Sequence, residues 1–82
     1  MKTFKFKLIG SDGTRLEKEI EALSCQTPLG EISVLADHRP LITIVNQGEV
    51  VIRTEAQVEK LIISQEAILE VRPTEVRLIS TF

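Results

Sequence analysis

The residues of this 82-residue chain that are best suited to chemistry are its one histidine and its one cysteine. A histidine can activate a thiol for nucleophilic attack when a third group orients its ring. Cys25 alternates with Leu23 on the apolar side of a predicted strand, however, where a buried thiol is inert. One histidine and one cysteine also provide too few ligands for a closed zinc site. We therefore expect no catalytic residue, no metal site and no cofactor.

His38 lies in the stretch ADHRP, between an acidic and a basic residue. Proline and aspartate favour turns, so we interpret His38 as the tip of a loop that leads into a strand. Two roles stay open for its ring. It either bonds to a backbone carbonyl of its own loop or contacts a partner.

Three carboxylates, those of Glu17, Glu19 and Glu21, fall on one side of a predicted polar strand. Such a group is compatible with a cation site or an acid/base pair. Burying like charges together is costly, however, so the pattern favours a solvated strand edge. The nearby stretch GSDG, residues 10–13, lacks both the spacing and the lysine of a phosphate-binding P-loop. We expect no nucleotide to bind.

Length and charge limit the classes of protein to consider. A chain of 82 residues fits one domain, over residues 1–82. The net charge is −2 and the basic residues are scattered, which argues against nucleic acid as a partner. No apolar run reaches the ~18 residues of a membrane span. The charged start MKTFKFK does not resemble a signal peptide, and the lone thiol favours a reducing compartment.

Alternating apolar and polar residues predict many short strands. Phe4, Phe6 and Leu8 alternate with lysines, and turn signals such as GSDG, TPLG and NQG recur along the chain. This spacing is typical of an all-β fold. We predict a small two-sheet β-sandwich or flattened barrel of about eight to ten short strands.

Residues 54–72 conflict with that fold. Val58, Leu61, Ile62, Ile68 and Leu69 fall mostly on one helical face, and Thr54 with Gln57 fits a helix capping box. Read alone, the segment predicts an amphipathic helix. The isoleucines of the stretch LII, residues 61–63, favour a strand instead. The local pattern leaves both alternatives open.

The stretch TPLGEISVLADHRPLITIVNQGEVVIR carries a resemblance to a known family. Its pattern of residues is similar to that of the amino-terminal domain of the epsilon subunit of F-type ATP synthases. The matching positions are Thr27, Pro28, Gly30, Glu31, Ile32, Leu35, His38, Pro40, Leu41, Thr43 and Gly48. Further along, AILEV and EVRLIS resemble the closing strands of that domain. The resemblance implies strands in residues 54–72, with turns near residues 56–57 and 65–66, and we adopt them.

The sequence also departs from the family pattern. Gln26, Ala36 and Gln47 stand where proline is usual, and Ser33 stands where glycine is usual. Family members usually continue into two carboxy-terminal helices, which this sequence does not contain. We therefore expect the chain to couple the rotor without inhibiting ATP hydrolysis, because that switch needs a mobile element with two docked positions.

The resemblance implies a non-catalytic rotor subunit that links the gamma subunit to the c ring. It places the c-ring contact at Pro28, Glu31, Asp37, His38 and Arg39, and the gamma contact at Gly10, Ser11 and Thr43. It also implies a peripheral position on the cytoplasmic face of the energy-coupling membrane, without insertion into the bilayer. The alternative is a free-standing β-sandwich that binds a ligand or a protein unrelated to the synthase.

Overall fold

Short strands joined by tight turns make up the chain, as the alternation of apolar and polar residues predicts. The computed structural model describes residues 2–80. Its nine strands are β1 (Phe4–Gly10), β2 (Gly13–Ile20), β3 (Ala22–Thr27), β4 (Gly30–Leu35), β5 (Leu41–Val45), β6 (Gly48–Arg53), β7 (Val58–Ile63), β8 (Ala67–Val71) and β9 (Glu75–Ser80). The predicted all-β fold is confirmed. Residues 2–80 include no helix long and apolar enough to cross a bilayer.

The strands form two packed sheets. One has five strands in the order β2-β1-β9-β8-β5, and the other has four in the order β4-β3-β6-β7. Neighbouring strands are antiparallel, except that β1 and β9 are parallel. The inward-facing residues of both sheets form one aliphatic core with two phenylalanines. Its fully covered members include Phe6, Ile20, Leu23, Val34, Val45, Val50, Ile52, Leu69, Val71, Val76 and Leu78. Lys18 of β2 donates to Glu59 of β7 at 2.7 Å, which joins the two sheets along one side.

Residues 54–72 form strands and not a helix, so the implied turns are confirmed and the helical alternative is wrong. β7 pairs along its whole length with β6, and β8 packs Ala67, Leu69 and Val71 into the core. The Thr54–Gln57 pair does make a reciprocal contact, but it closes a hairpin loop. The Thr54 hydroxyl accepts from the Gln57 N–H at 3.2 Å, and the Thr54 N–H donates to the Gln57 carbonyl at 2.8 Å. Burial in the core therefore decides the structure against local propensity.

The connections gather at two opposite ends of the sandwich. One, which we call the hairpin end, contains residues 10–13, 27–30 and 46–48, and a bond from the Asn46 N–H to the Gln26 carbonyl at 2.8 Å joins the sheets there. The other, which we call the loop end, contains residues 36–40, 54–57 and 72–74. The Asp37 N–H donates to the Pro73 carbonyl at 3.0 Å at that end. A surface residue belongs to one of these ends or to an outer sheet face.

Candidate partner-binding surface

A continuous strip of isoleucine crosses the outer face of the five-stranded sheet. Ile44 of β5 lies opposite Ile68 of β8, Ile68 lies opposite Ile79 of β9, and Ile79 lies opposite Ile9 of β1. We call these four residues the isoleucine row. Strands lie about 4.8 Å apart, so the row is about 14 Å long. Ile44 and Ile68 are each 47% exposed, and Ile9 and Ile79 are half-buried.

Strand alternation forces these isoleucines outward. Residues 67, 69 and 71 of β8 are buried in the core, so Ile68 must point to the opposite face. Ile42, 71% exposed, extends the apolar surface along β5. Contiguous exposed apolar surface on a soluble domain marks an interaction site. The isoleucine row is therefore our candidate for a surface that another protein covers.

Paired charges lie beside the isoleucine row on the same face. Arg77 donates through Nε to Glu75 at 2.6 Å and lies 3.7 Å from Glu70. Lys7 lies 3.7 Å from Glu75 on its other side. The hydrogen bond from Arg77, with the nearby lysines, holds the pKa of Glu75 below its usual value. A partner would thus meet an apolar strip with a polar rim whose charges are already compensated, the arrangement of many protein interfaces.

The residues predicted to contact gamma lie at the two ends of the isoleucine row. Gly10 and Ser11 directly follow Ile9 at the hairpin end, and Thr43 lies beside Ile44 on β5, at the opposite edge of the same sheet. Thr43 pairs with buried Leu69, so its side chain faces inward, and its hydroxyl donates to the Ile44 carbonyl at 3.3 Å. The two predicted positions are not in contact. The isoleucine row lies between these two positions on the outer face of the sheet.

Pro28 and Glu31 lie at the hairpin end, in and beside the turn between β3 and β4. The Thr27 hydroxyl donates to the Gly30 carbonyl at 2.7 Å and accepts from the Leu29 N–H at 3.2 Å, so one side chain holds the turn closed. Gly30 has a φ of 120°, a conformation that glycine adopts without strain. Leu29 is fully exposed at the tip. The turn thus presents an apolar tip flanked by a carboxylate.

Asp37, His38 and Arg39 lie at the loop end, away from Pro28 and Glu31. Strand β4 separates the two groups, and its six residues span about 17 Å at about 3.3 Å each. The five residues predicted for the c ring therefore form two separate clusters. His38 Nδ1 donates to the Arg39 carbonyl oxygen at 2.7 Å, which is one of the two roles left open for its ring. Asp37 forms an ion pair with Lys2.

The thiol of Cys25 has no environment for nucleophilic chemistry. Its side chain is only 2% exposed within the core. Burial, and to a lesser extent the charge of Glu31, raises the pKa of Cys25 to about 11. The thiol therefore stays protonated near neutral pH. Within residues 2–80, no three histidine, cysteine, aspartate or glutamate side chains are grouped so that they could hold a metal ion.

The sequence pattern did not reveal the isoleucine row or Leu29. Alternation within each strand predicts which residues face outward, but the row exists only because β5, β8, β9 and β1 are neighbours in that order. That order includes a parallel pair between the first and the ninth strand, which no local signal predicts. Leu29 is apolar in a turn, and that mismatch is a signal that could have identified it.

Comparisons with known proteins agree with this architecture. The family model described as ATP synthase, Delta/Epsilon chain, beta-sandwich domain matches residues 3–81. The chain is 30% identical over 80 residues to the ATP synthase epsilon chain of Bacillus velezensis, covering 98% of this chain and 60% of that protein. It is also 30% identical over 81 residues to the ATP synthase epsilon chain of Bacillus cytotoxicus, covering 99% of this chain and 60% of that protein.

Solved structures share the fold at lower identity. One is a chain of the mitochondrial ATP synthase of Euglena gracilis, solved with OSCP, F1 and the c-ring (TM-score 0.88, 20% identity, 98% of this chain and 51% of that one). Another is from the central stalk and c-ring of the Tetrahymena thermophila mitochondrial ATP synthase, with a TM-score of 0.81 and 9% identity. That match covers 99% of this chain and 65% of that one. The present chain thus spans 60% of the length of its two Bacillus relatives. It belongs to the family of the β-sandwich domain of ATP synthase delta/epsilon chains.

Proposed function

We propose that this chain is a non-catalytic central-stalk subunit of an F-type ATP synthase that joins the gamma subunit to the c ring. The observation that carries the proposal is the isoleucine row, because an exposed apolar strip with compensated charges beside it is built to be covered by a protein. The family membership supports the identity of that protein as gamma. The predicted gamma residues Gly10 and Ser11 directly follow one end of the row, whereas the side chain of Thr43 faces inward at the other end.

The hairpin end is the part we assign to the c ring. Its turn between β3 and β4 projects the fully exposed Leu29 beside Pro28 and Glu31. Leu29 would bury apolar surface against the c ring. An ion pair between Glu31 and a basic loop of the ring would add register and specificity. The loop end lies about 17 Å away along β4, so one contact at the hairpin end does not include it. We therefore place Asp37, His38 and Arg39 outside the c-ring contact.

This arrangement makes the function mechanical. The isoleucine row reaches the hairpin end, since Gly10 follows Ile9 directly, so the two proposed contacts adjoin. A close-packed core resists deformation, and the domain can pass torque from one contact to the other. The thiol of Cys25 is buried, and the ring of His38 bonds to a backbone carbonyl of its own loop, which supports a non-catalytic role. The position of the complex, peripheral on the cytoplasmic face of its membrane, is part of the proposal, as is the absence of bound nucleotide.

Binding to the cognate gamma subunit tests the gamma surface. We expect Ile68→Lys to abolish retention on immobilised gamma, because a lysine would interrupt the middle of the isoleucine row. The matched control is Leu35→Lys, since Leu35 is a 51% exposed aliphatic residue on β4 of the other sheet. It should bind like the parent. If Ile68→Lys binds as well as the parent, or if both variants lose binding equally, this surface is not the gamma contact.

Capture on detergent-solubilised c ring tests the second contact. The complex of gamma with Glu31→Lys should form normally but should be retained less on the c ring than the parental complex. Arg39→Glu is the control at the loop end, and it should leave retention unchanged. Loss of retention with Arg39→Glu and not with Glu31→Lys would reverse our assignment of the two ends.

A further inference from the structure

The turn between β1 and β2 contains an aspartate followed directly by a glycine. Ser11 and Asp12 lie between the two strands, and Gly13 begins β2 with a φ of 117°. The side chain of Asp12 is 75% exposed. A Cβ atom added to Gly13 would have no described atom within 4 Å outside its two chain neighbours. The peptide bond between Asp12 and Gly13 therefore lies in open space at the tip of the hairpin.

An aspartate and the residue after it can react with each other. The Gly13 nitrogen and the Asp12 carboxyl carbon Cγ are joined through the main-chain carbon, Cα and Cβ of Asp12, so a bond between them closes a ring. Both groups belong to one short stretch of chain, which makes the reaction unimolecular. A side chain on the second residue hinders the approach of its nitrogen. Glycine has no side chain and lets the backbone adopt more conformations, so an Asp–Gly pair in an exposed turn favours ring closure.

The reaction needs no cofactor. The Gly13 nitrogen bonds to Cγ of the Asp12 carboxylic acid, the bond from Cγ to the hydroxyl oxygen breaks, and that hydroxyl leaves as water with the amide proton. A second water then opens the cyclic imide. When it breaks the bond between the nitrogen and the original main-chain carbonyl of Asp12, the main chain continues through Cβ and Cγ, and that carbonyl becomes a carboxylate. The product is isoaspartate, which has the same mass as aspartate.

We propose that Asp12 is a modification site, at which this chain isomerises spontaneously to isoaspartate. The ion pair with Arg15 does not prevent the reaction. Arg15 Nε lies 3.3 Å from Asp12 Oδ1, and an ion pair between exposed side chains contributes little to holding them in place. The carboxyl group can therefore leave Arg15 and turn toward the Gly13 nitrogen.

Asp37, the other aspartate of the sequence, serves as an internal comparison. It is followed by His38, whose side chain hinders the approach of its own nitrogen to the Asp37 carboxyl group. The Asp37 N–H donates to the Pro73 carbonyl at 3.0 Å, and its side chain forms an ion pair with Lys2. These contacts hold Asp37 to two other parts of the chain. We therefore expect isomerisation at Asp12 to be much faster than at Asp37.

Isomerisation changes the hairpin beside the proposed gamma contact. Gly10 and Gly13 are the pair that closes this hairpin, and isoaspartate adds one methylene to the main chain between them. Arg15 lies over Gly10 so closely that a Cβ atom on Gly10 would be 2.4 Å from Nε, and the same Nε donates to Asp12. The new carboxylate is attached directly to Cα, which displaces it from Arg15. Binding of gamma at Gly10 and Ser11 should then weaken, a consequence that rests on the proposed function.

Peptide mapping of the incubated chain tests the modification. Trypsin cleaves after lysine and arginine except before proline, so it places Asp12 in the fragment 8–15 and Asp37 in the fragment 19–53. The folded chain is incubated in mildly acidic buffer, and isoaspartate is then labelled with an isoaspartyl methyltransferase and radioactive S-adenosylmethionine. Label should accumulate in the fragment 8–15 several times faster than in the fragment 19–53. Equal labelling of the two fragments, or no label in the fragment 8–15, overturns the proposal.

Two substitutions assign the label to the side chain of Asp12. Asp12→Glu keeps the carboxylate but would have to close a larger ring, so its fragment 8–15 should stay unlabelled. Asp12→Asn closes the same ring with loss of ammonia, a better leaving group than water, so its label should appear faster than in the parent. If Asp12→Glu is labelled like the parent, the isomerisation does not occur at Asp12.

Retention on immobilised gamma tests the consequence. The incubated parent should be retained less than fresh parent, whereas incubated Asp12→Glu should be retained like fresh Asp12→Glu. If fully labelled parent is retained like fresh parent, Asp12 stands as the modification site and its effect on the gamma contact is wrong. The label is measured without gamma, so failure of the proposed function would leave the result of the peptide mapping unchanged.

Discussion

Leu69 and Ile68 are neighbours on β8 that face opposite sides of the sheet, and truncating each to alanine should have very different effects. Leu69 is completely buried, and Ile68 is 47% exposed. Removing a buried leucine side chain costs about 2–5 kcal/mol, from lost burial and the cavity left behind. Fully burying an isoleucine contributes about 1.5–3 kcal/mol, so truncating the half-exposed Ile68 should cost about 1 kcal/mol.

These costs matter because the domain is small. A single core in a chain of this size provides a net stability of roughly 3–5 kcal/mol. Leu69→Ala should therefore lose most of its stability and be partly unfolded at 25 °C, while Ile68→Ala should remain folded. The chain has no tryptophan and no tyrosine, so urea unfolding is best followed by far-UV circular dichroism. The parent and both variants should be measured in the same buffer.

Binding of gamma provides a second test of Leu69→Ala and Ile68→Ala. A ligand present at 100 times its dissociation constant stabilises the folded state by about 2.7 kcal/mol. Gamma should therefore restore folding of Leu69→Ala, whose isoleucine row is intact, but bind Ile68→Ala more weakly although that variant is folded. Equal loss of stability in the two variants would refute the assignment of inner and outer faces on β8. The placement of the isoleucine row on the outer face would then be refuted as well.

Two further predictions concern titratable groups. Cys25 is buried, and its pKa is raised to about 11. It should not react with a thiol reagent at pH 8 in the folded chain, and it should react fully in urea. Rapid reaction of the folded chain would contradict its burial. The pKa of Glu75 is lowered in the folded state, chiefly by Arg77, so its stabilising effect should be present above the unfolded value of 4.5 and be lost as the pH falls through the folded pKa. The difference in unfolding free energy between the parent and Glu75→Gln should therefore shrink between pH 7 and pH 3, and a constant difference would show that the carboxylate charge is not involved.

Residues 54–72 show what local sequence can and cannot predict. The apolar spacing there fits a helix, and Thr54 with Gln57 fits a helix cap. The chain instead buries Ile63, Ala67, Leu69 and Val71 in a core made by strands far away in sequence. A helix would bury one face only, and it would leave β6 without its partner β7. The family resemblance predicted the strands correctly because it carries information about the whole fold.

The predicted contact residues show the complementary limit. Pro28 and His38 both lie in connections that flank β4, and the resemblance grouped them in one contact. The direction of β4 puts them at opposite ends of the sandwich. The resemblance also grouped Thr43 with Gly10 in the gamma contact, and the structure places the isoleucine row between them. Motifs predict candidate contact positions, but the sheet order decides which of them can meet one partner.

The parallel pair of β1 and β9 has a consequence for how the chain folds during its synthesis. β9 lies between the β1–β2 hairpin and the β8–β5 pair, so the five-stranded sheet exists only as two halves until β9 has left the ribosome. Contacts between distant parts of a chain slow folding, because the loop must close before the contact forms. During that interval the apolar faces and strand edges of both halves are uncovered, and this nascent state is the one most exposed to aggregation.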